Sequence, residues 1–301
     1  MKTHTNTLVG IDYSDNGVNA LREAARVAHW NQGNLHGLHI IEDEVISLFR
    51  EQKDFDELKV MHTALTHLKE YVEDILGPDH SCQCRLRVGH PFHEMLDEIQ
   101  SRQADLLVLG SRGLSEKTLH NVGSLAQRCV RKAPTHVLLV RQKQDSPYQN
   151  IIACTDFSNT ANRAAQIAAD MAIQDGASLE LVHFYTYPIY PYGDVRLDLD
   201  PAPGFIDSLM DNQKKKLNHL ANKLQASHPS LDIKTSIVED SISHAIGNYI
   251  KDSKVDLVVL GTRGRTGLKS LFLGTKAEKI IRVTPCSILA VKPDGFHYDL
   301  S

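Results

Sequence analysis

Two segments of the chain place glycines where bound phosphate would need them. Residues 106–129 read LLVLGSRGLSEKTLHNVGSLAQRC and residues 257–280 read LVVLGTRGRTGLKSLFLGTKAEKI, so Gly110, Gly113, Gly123 and Ser124 recur as Gly261, Gly264, Gly274 and Thr275 with the same G-x2-G-x9-G-S/T spacing. Glycine lets backbone N–H groups turn toward a ligand with no Cβ in the way, and a helix N-terminus adds about half a positive elementary charge. Arg112 and Arg263 stand inside the loops as cations. Together these groups describe a cradle for phosphate oxygens, with the hydroxyls capping the following helix, donating to phosphate, or both. A plainer alternative is that the glycines only shape a turn. The recurrence, each time after a buried run and before a helical one, favours the cradle.

Other constellations carry less chemistry. The stretch HSCQCRLRVGHPFH (80–93) gathers His80, Cys82, Cys84, His90 and His93. Its C-x-C spacing puts two thiols on one strand face rather than in a zinc knuckle, so strand and loop residues are the better reading. His39 and His183 end the second strand of their segments; with no nucleophile at a sharp elbow and no carboxylate nearby, they read as core histidines held by backbone. The run KKKLNHLANK (214–223) reads as a solvated helix face. Neither a P-loop nor an S-G-G-x-D/S-S loop is present. Asp12 or Asp156 could hold a metal such as Mg2+ on bound phosphate, which permits slow hydrolysis without an evolved hydrolase.

These residues need a scaffold that brings strand ends and helix starts to one edge, and the sequence supplies it twice. LVGIDYSDNGVNALREAARVA (8–28) aligns with IACTDFSNTANRAAQIAADMA (152–172), with Asp12 on Asp156 and His39 on His183, 144 residues apart. Gly110 and Gly261 are 151 apart, and the extra residues fall in the Pro- and Gly-rich loop 185–205. Strands are expected near 7–12, 35–40, 83–88, 106–110 and 136–140, and helices near 16–31, 55–76, 92–102 and 124–132, with the same order in the second copy. Runs such as DLLVLG and DLVVLG suit strands buried on both faces, and alternation with helices calls for a parallel sheet with right-handed crossovers. The prediction is an α/β chain of two doubly wound five-stranded domains, 1–145 and 146–301, linked through RQKQDSPYQ (141–149). A bare apolar edge strand invites a partner, so the last strands, 135–140 and 286–291, are expected to pair and make an intramolecular pseudo-dimer.

Length and charge bound the partners. At 301 residues, 42% hydrophobic, with a formal charge of -4, the chain has two ordinary cores and no electrostatic reason to favour nucleic acid or an anionic membrane. No apolar run approaches the roughly 18 residues of a spanning helix, and MKTHTNTLVG has no apolar leader core, which points to the cytoplasm. The five cysteines have no recurring spacing and read as reduced.

With its paired G-x2-G-x9-G-S/T loops and first-strand acids in GIDYS and CTDFS, the chain resembles the universal stress proteins over residues 7–141 and 150–292. The resemblance implies a tandem pair of adenine nucleotide alpha hydrolase-like domains that bind ATP or a related adenine nucleotide and act in stress regulation through a protein partner the sequence does not name. It also admits a homodimer of tandem chains. Under it, Asp12 and Asp156 meet the ribose or adenine side, the backbone of Ile40 and Phe184 meets the adenine edge, and the glycine loops hold ribose and phosphates. The copies differ around the site: VEDSISHA replaces VGHPFHE and adds Glu239 and Asp240, while Arg265 and Lys269 face a first-copy loop with Lys117 and Glu116. The loop charges predict tighter binding by the second half.

Overall fold

The computed structural model of the chain describes residues 4–50, 55–111, 122–141, 146–185, 204–239, 245–264 and 273–296. Short runs of Val, Ile and Leu form the strands, and amphipathic segments form the helices between them, with Ser14, Asp56 and Ser158 capping three of their N-termini. The first half contains β1 (Asn6–Gly10), α1 (Asp15–Asn31), β2 (Asn34–Ile41), α2 (Asp43–Arg50), α3 (Glu57–Leu76), β3 (Gln83–Val88), α4 (Pro91–Arg102), β4 (Leu106–Gly110), α5 (Ser124–Lys132) and β5 (His136–Val140). The second contains β6 (Asn150–Cys154), α6 (Asn159–Asp175), β7 (Ser178–Tyr185), α7 (Phe205–Ser227), β8 (Ile233–Glu239), α8 (Ala245–Asp252), β9 (Leu257–Gly261), α9 (Thr275–Val283) and β10 (Ser287–Val291). One element was not expected: α2 has eight residues of which only Ile46 is buried, too few to register as a helical period. Strand β1 stops at Gly10, so Asp12 lies in the loop beyond it, and Cys82 stands just ahead of β3.

The strands form one ten-stranded sheet in the order β3-β2-β1-β4-β5-β10-β9-β6-β7-β8. Within each half all pairs are parallel, and the order reverses beside β1 and β6 as a doubly wound sheet requires. The halves join through β5 and β10, which run antiparallel, as the last-strand expectation had it. Leu138 lies opposite Leu289, its own counterpart 151 residues on, so a pseudo-two-fold axis passes between them. Every residue of both strands is buried.

Two cores cover the sheet, and neither stops at the joint. Val9, Val108, Leu138, Leu289, Val259 and Ala153 face α1, α3, α6 and α7, while Leu107, Val137, Leu139, Ile288, Ala290 and Val258 face α4, α5, α8 and α9. Each Val, Leu or Ile among them contributes about 1.5–3 kcal/mol when fully buried, so the shared strands tie the halves into one unit. Polar contacts repeat the symmetry: Arg141 Nη2 donates to the Ile281 carbonyl at 2.7 Å, and the Nζ of buried Lys292 donates to Val130, the counterpart carbonyl. An Arg131–Glu278 ion pair crosses the joint on that side. On the other side Arg26 reaches Asp175 and packs over the rings of Trp30 and Tyr148.

Candidate functional site

The loop after β1 is built the same way in both halves. Ser14 donates its N–H and hydroxyl to Asp12 Oδ1 at 3.0 and 2.6 Å, and its own Oγ accepts from Gly17 N–H to cap α1. Ser158 donates its N–H to Asp156 Oδ1 at 3.0 Å and caps α6 through Ala161 N–H. Tyr13 and Phe157, between acid and cap, take left-handed φ angles of 59° and 65°. That turn sets each ring against the following histidine, 4.8 Å from His39 and 4.7 Å from His183. The histidines are fixed in turn by backbone: the Nδ1 atoms lie 2.8 Å from the Ile11 carbonyl oxygen and 2.7 Å from that of Thr155.

In the first half these loops open onto a cleft of about 580 Å³ at the carboxyl ends of β1, β2 and β4. Asp12, His39, Ile40, Gly110, Gly123 and Ser124 line it, so the structure brings together five of the first-half residues selected from sequence. Arg112 and Gly113 lie outside the described residues. The volume falls within the roughly 300–1,000 Å³ of small-molecule sites. At its floor Gly123 is the N-cap of α5, its N–H donating to the Ser111 carbonyl, and no side chain caps that helix. The first-turn N–H groups of α5 therefore meet the cleft with the positive end of the helix dipole.

Sequence reasoning missed Arg128, His90 and Phe92 at the same cleft. Arg128 is one helical turn beyond Ser124, on the same face, and that spacing was the available signal. Its guanidinium sits 4.3 Å above the Phe92 ring, with Nη1 3.4 Å from His90 Nε2. His90 caps α4, accepting from Phe92 N–H at 3.3 Å. Among the described residues no group of three His, Cys, Asp or Glu side chains could hold a metal ion.

The glycines do not all serve one purpose. A Cβ on Gly110 would lie 2.9 Å from the backbone carbon of Asn16, and one on Gly261 would lie 3.1 Å from the backbone of Thr160 and Ala161. These two allow helices α1 and α6 to approach the strand ends, which is the packing role. A Cβ on Gly264 would stand 2.6 Å from Asp156 Oδ2, so this glycine lets the loop close on the acid. Gly274 has more room, since a Cβ there would come no nearer than 3.7 Å to the Thr262 carbonyl oxygen, and it caps α9 with its N–H on that same carbonyl.

The second half places its residues differently. Lys276, in the first turn of α9 after exposed Thr275, reaches from α9 to the end of β7 and donates from Nζ to the Phe184 carbonyl at 2.9 Å. Its first-half counterpart is Leu125, which cannot make that bridge. Phe184 is 4% exposed and packs edge-on to Tyr249, whereas Ile40 is only half-buried. Arg263 lies with its guanidinium 4.9 Å over the Phe296 ring. Exposed Glu239 accepts from the Tyr185 hydroxyl at 3.4 Å; Asp240, Arg265 and Lys269 are outside the described residues.

A family model for the universal stress protein family matches the chain twice, over residues 4–141 and 147–292. The chain belongs to the universal stress protein family. Membership supports a role in the stress response. Universal stress protein E of Photorhabdus laumondii is 24% identical, the alignment covering 98% of this chain and 97% of that one. A universal stress protein of Mycolicibacterium smegmatis is 22% identical over 97% of this chain and 98% of its own length. Among solved structures, a universal stress protein from Archaeoglobus fulgidus shares the fold with a TM-score of 0.68 at 17% identity, covering 96% of this chain and 98% of that one. No helix among the described residues is long and apolar enough to cross a membrane.

Proposed function

We propose that the protein is a stress-response regulatory module that binds ATP or a related adenine nucleotide in the cleft of its first half. The open crevice carries this reading: about 580 Å³ at the point where strand order reverses, with Asp12 on one wall, Ile40 on another and the uncapped N-terminus of α5 at the floor. Backbone N–H groups and Arg128 suit phosphates, the Ile40 backbone and the apolar wall of Phe92, Met95 and Leu109 suit a base, and Asp12 suits ribose hydroxyls. A nucleotide-held Mg2+ would have to share Asp12 with Ser14, which already occupies Oδ1.

In this reading the affinity order inferred from loop charge is reversed. A ligand entering the second crevice must first displace the Lys276–Phe184 bridge, and Arg263 is directed to Phe296 instead. Nucleotide occupancy of the first cleft then stabilises one conformation for a partner to read.

Calorimetric titration of the full chain with ATP, with and without magnesium, tests the proposal, alongside native mass spectrometry of protein purified without added ligand. One nucleotide per chain is expected, none in Gly123→Val, and two in Lys276→Ala. Gly123 has φ −58° and ψ 153°, angles a branched residue adopts, so the substitution fills the cleft floor without backbone strain. Absence of binding by the wild-type chain would turn the reading toward an interaction scaffold, and release of ADP on standing toward a slow hydrolase.

A further inference from the structure

The first half contains a notch that the second half fills. Gly37 lies inside β2, a position where glycine weakens a strand and marks close approach by another group. A Cβ there would meet Cys82 Sγ and Ile11 Cδ1, each at 3.1 Å, and Cys84 Sγ at 3.9 Å, so the missing side chain lets both sulfurs approach the strand beside Ile11. Cys84 is the direct cross-strand partner of Gly37. The repeat provides an internal comparison. The counterpart of Gly37 is Leu181, fully buried, and its cross-strand partner is Thr235, so the second half has an ordinary packed position and no thiols there.

We infer that Cys82 and Cys84 form a two-sulfur site for a soft monovalent cation of low coordination number, with cuprous ion as the representative. Thiolates select soft d10 ions, and two sulfurs held on one strand face satisfy an ion that is content with two ligands. Zinc would want four, and no third His, Cys, Asp or Glu joins the pair among the described residues. His80 does not serve, because its Nδ1 accepts from Cys82 N–H at 3.0 Å, which leaves the ring proton on Nε2. Both cysteines are half-buried on the edge strand, within reach of an incoming ion, unlike buried Cys129, Cys154 and Cys286. Binding forms two S–Cu bonds and releases the remaining thiol protons to water; no electrons are transferred.

The site stands independently of the nucleotide reading. The test is anaerobic titration of the reduced full chain with cuprous ion in competition with the chromophoric chelator bicinchoninate. One equivalent held against the chelator is expected for the wild type and for the Cys129→Ser, Cys154→Ser, Cys286→Ser triple variant. Cys82→Ser and Cys84→Ser should each lose it. Gly37→Ala, which presses a methyl against Cys82 Sγ while keeping every thiol, should weaken it, with the five thiols still counted by a thiol reagent after denaturation. Matching circular dichroism spectra and melting curves separate loss of the site from loss of the fold. Retention of the equivalent by a Cys82→Ser, Cys84→Ser double variant, or surrender of all copper by the wild type, overturns the inference.

Discussion

At the scale of single residues, the repeated glycines divide into two kinds. Gly110 and Gly261 stand where a Cβ would press on the first turn of α1 or α6, and neither neighbour is a flexible side-chain end. Gly110→Val and Gly261→Val are therefore expected to destabilise the fold by about 1–3 kcal/mol, the usual cost of overpacking, whether or not nucleotide is present. Gly123→Val should cost less than either, since its backbone angles suit a branched residue. Urea denaturation of the three variants checks the ranking, and equal stability across them would remove the distinction. The sequence revealed that glycine was required at these places without revealing why, because close helix approach and ligand approach both demand the absence of a Cβ. Lys276 was illegible for a different reason. Its effect depends on a side chain crossing to a carbonyl 92 residues earlier, and no local pattern encodes that span.

At the scale of elements, strands and most helices were legible because continuous apolar runs and helical periods are long enough to recognise, and because each was written twice. Helix α2 was not, having one buried residue to announce it. The element pair with most to lose is β5 with β10. His136, at the start of β5, accepts the backbone N–H of Lys292 at 3.0 Å through Nδ1, and His4 packs edge-on against it at 5.5 Å. Burial, reinforced by His4, Arg163 and Lys292, pushes the His136 pKa down to about 3, from 6.5. Burial likewise lowers His4 to about 4, against the opposing pull of Asp105. The unfolded chain thus takes up these protons near pH 6.5 while the folded chain resists them, so stability is lost as pH falls below 6.5 toward 3. His136→Asn keeps an acceptor near Nδ1 and cannot titrate. Its urea midpoint should decline less steeply than that of the wild type between pH 6.5 and 4, and parallel declines would assign acid sensitivity elsewhere.

At the scale of the whole molecule, the ten-stranded sheet has two outer edges, β3 and β8, and keeps its most apolar strands in the middle. A fragment of residues 1–145 would uncover β5 along its full length. It is expected to elute as a dimer or larger species in size-exclusion chromatography, while Leu138→Asp in the fragment shifts it toward monomer; a monomeric, soluble wild-type fragment would contradict the role given to this pair. The axis between Leu138 and Leu289 relates the folds but not every side chain. Two copies of one short chain meeting on such an axis must carry identical clefts and identical notches. Here Leu125 answers Lys276 and Leu181 answers Gly37 within a single polypeptide, so each molecule contains one of each kind in a ratio that neither concentration nor assembly can alter. The covalent link turns what would be a symmetric pair into one with two unlike halves.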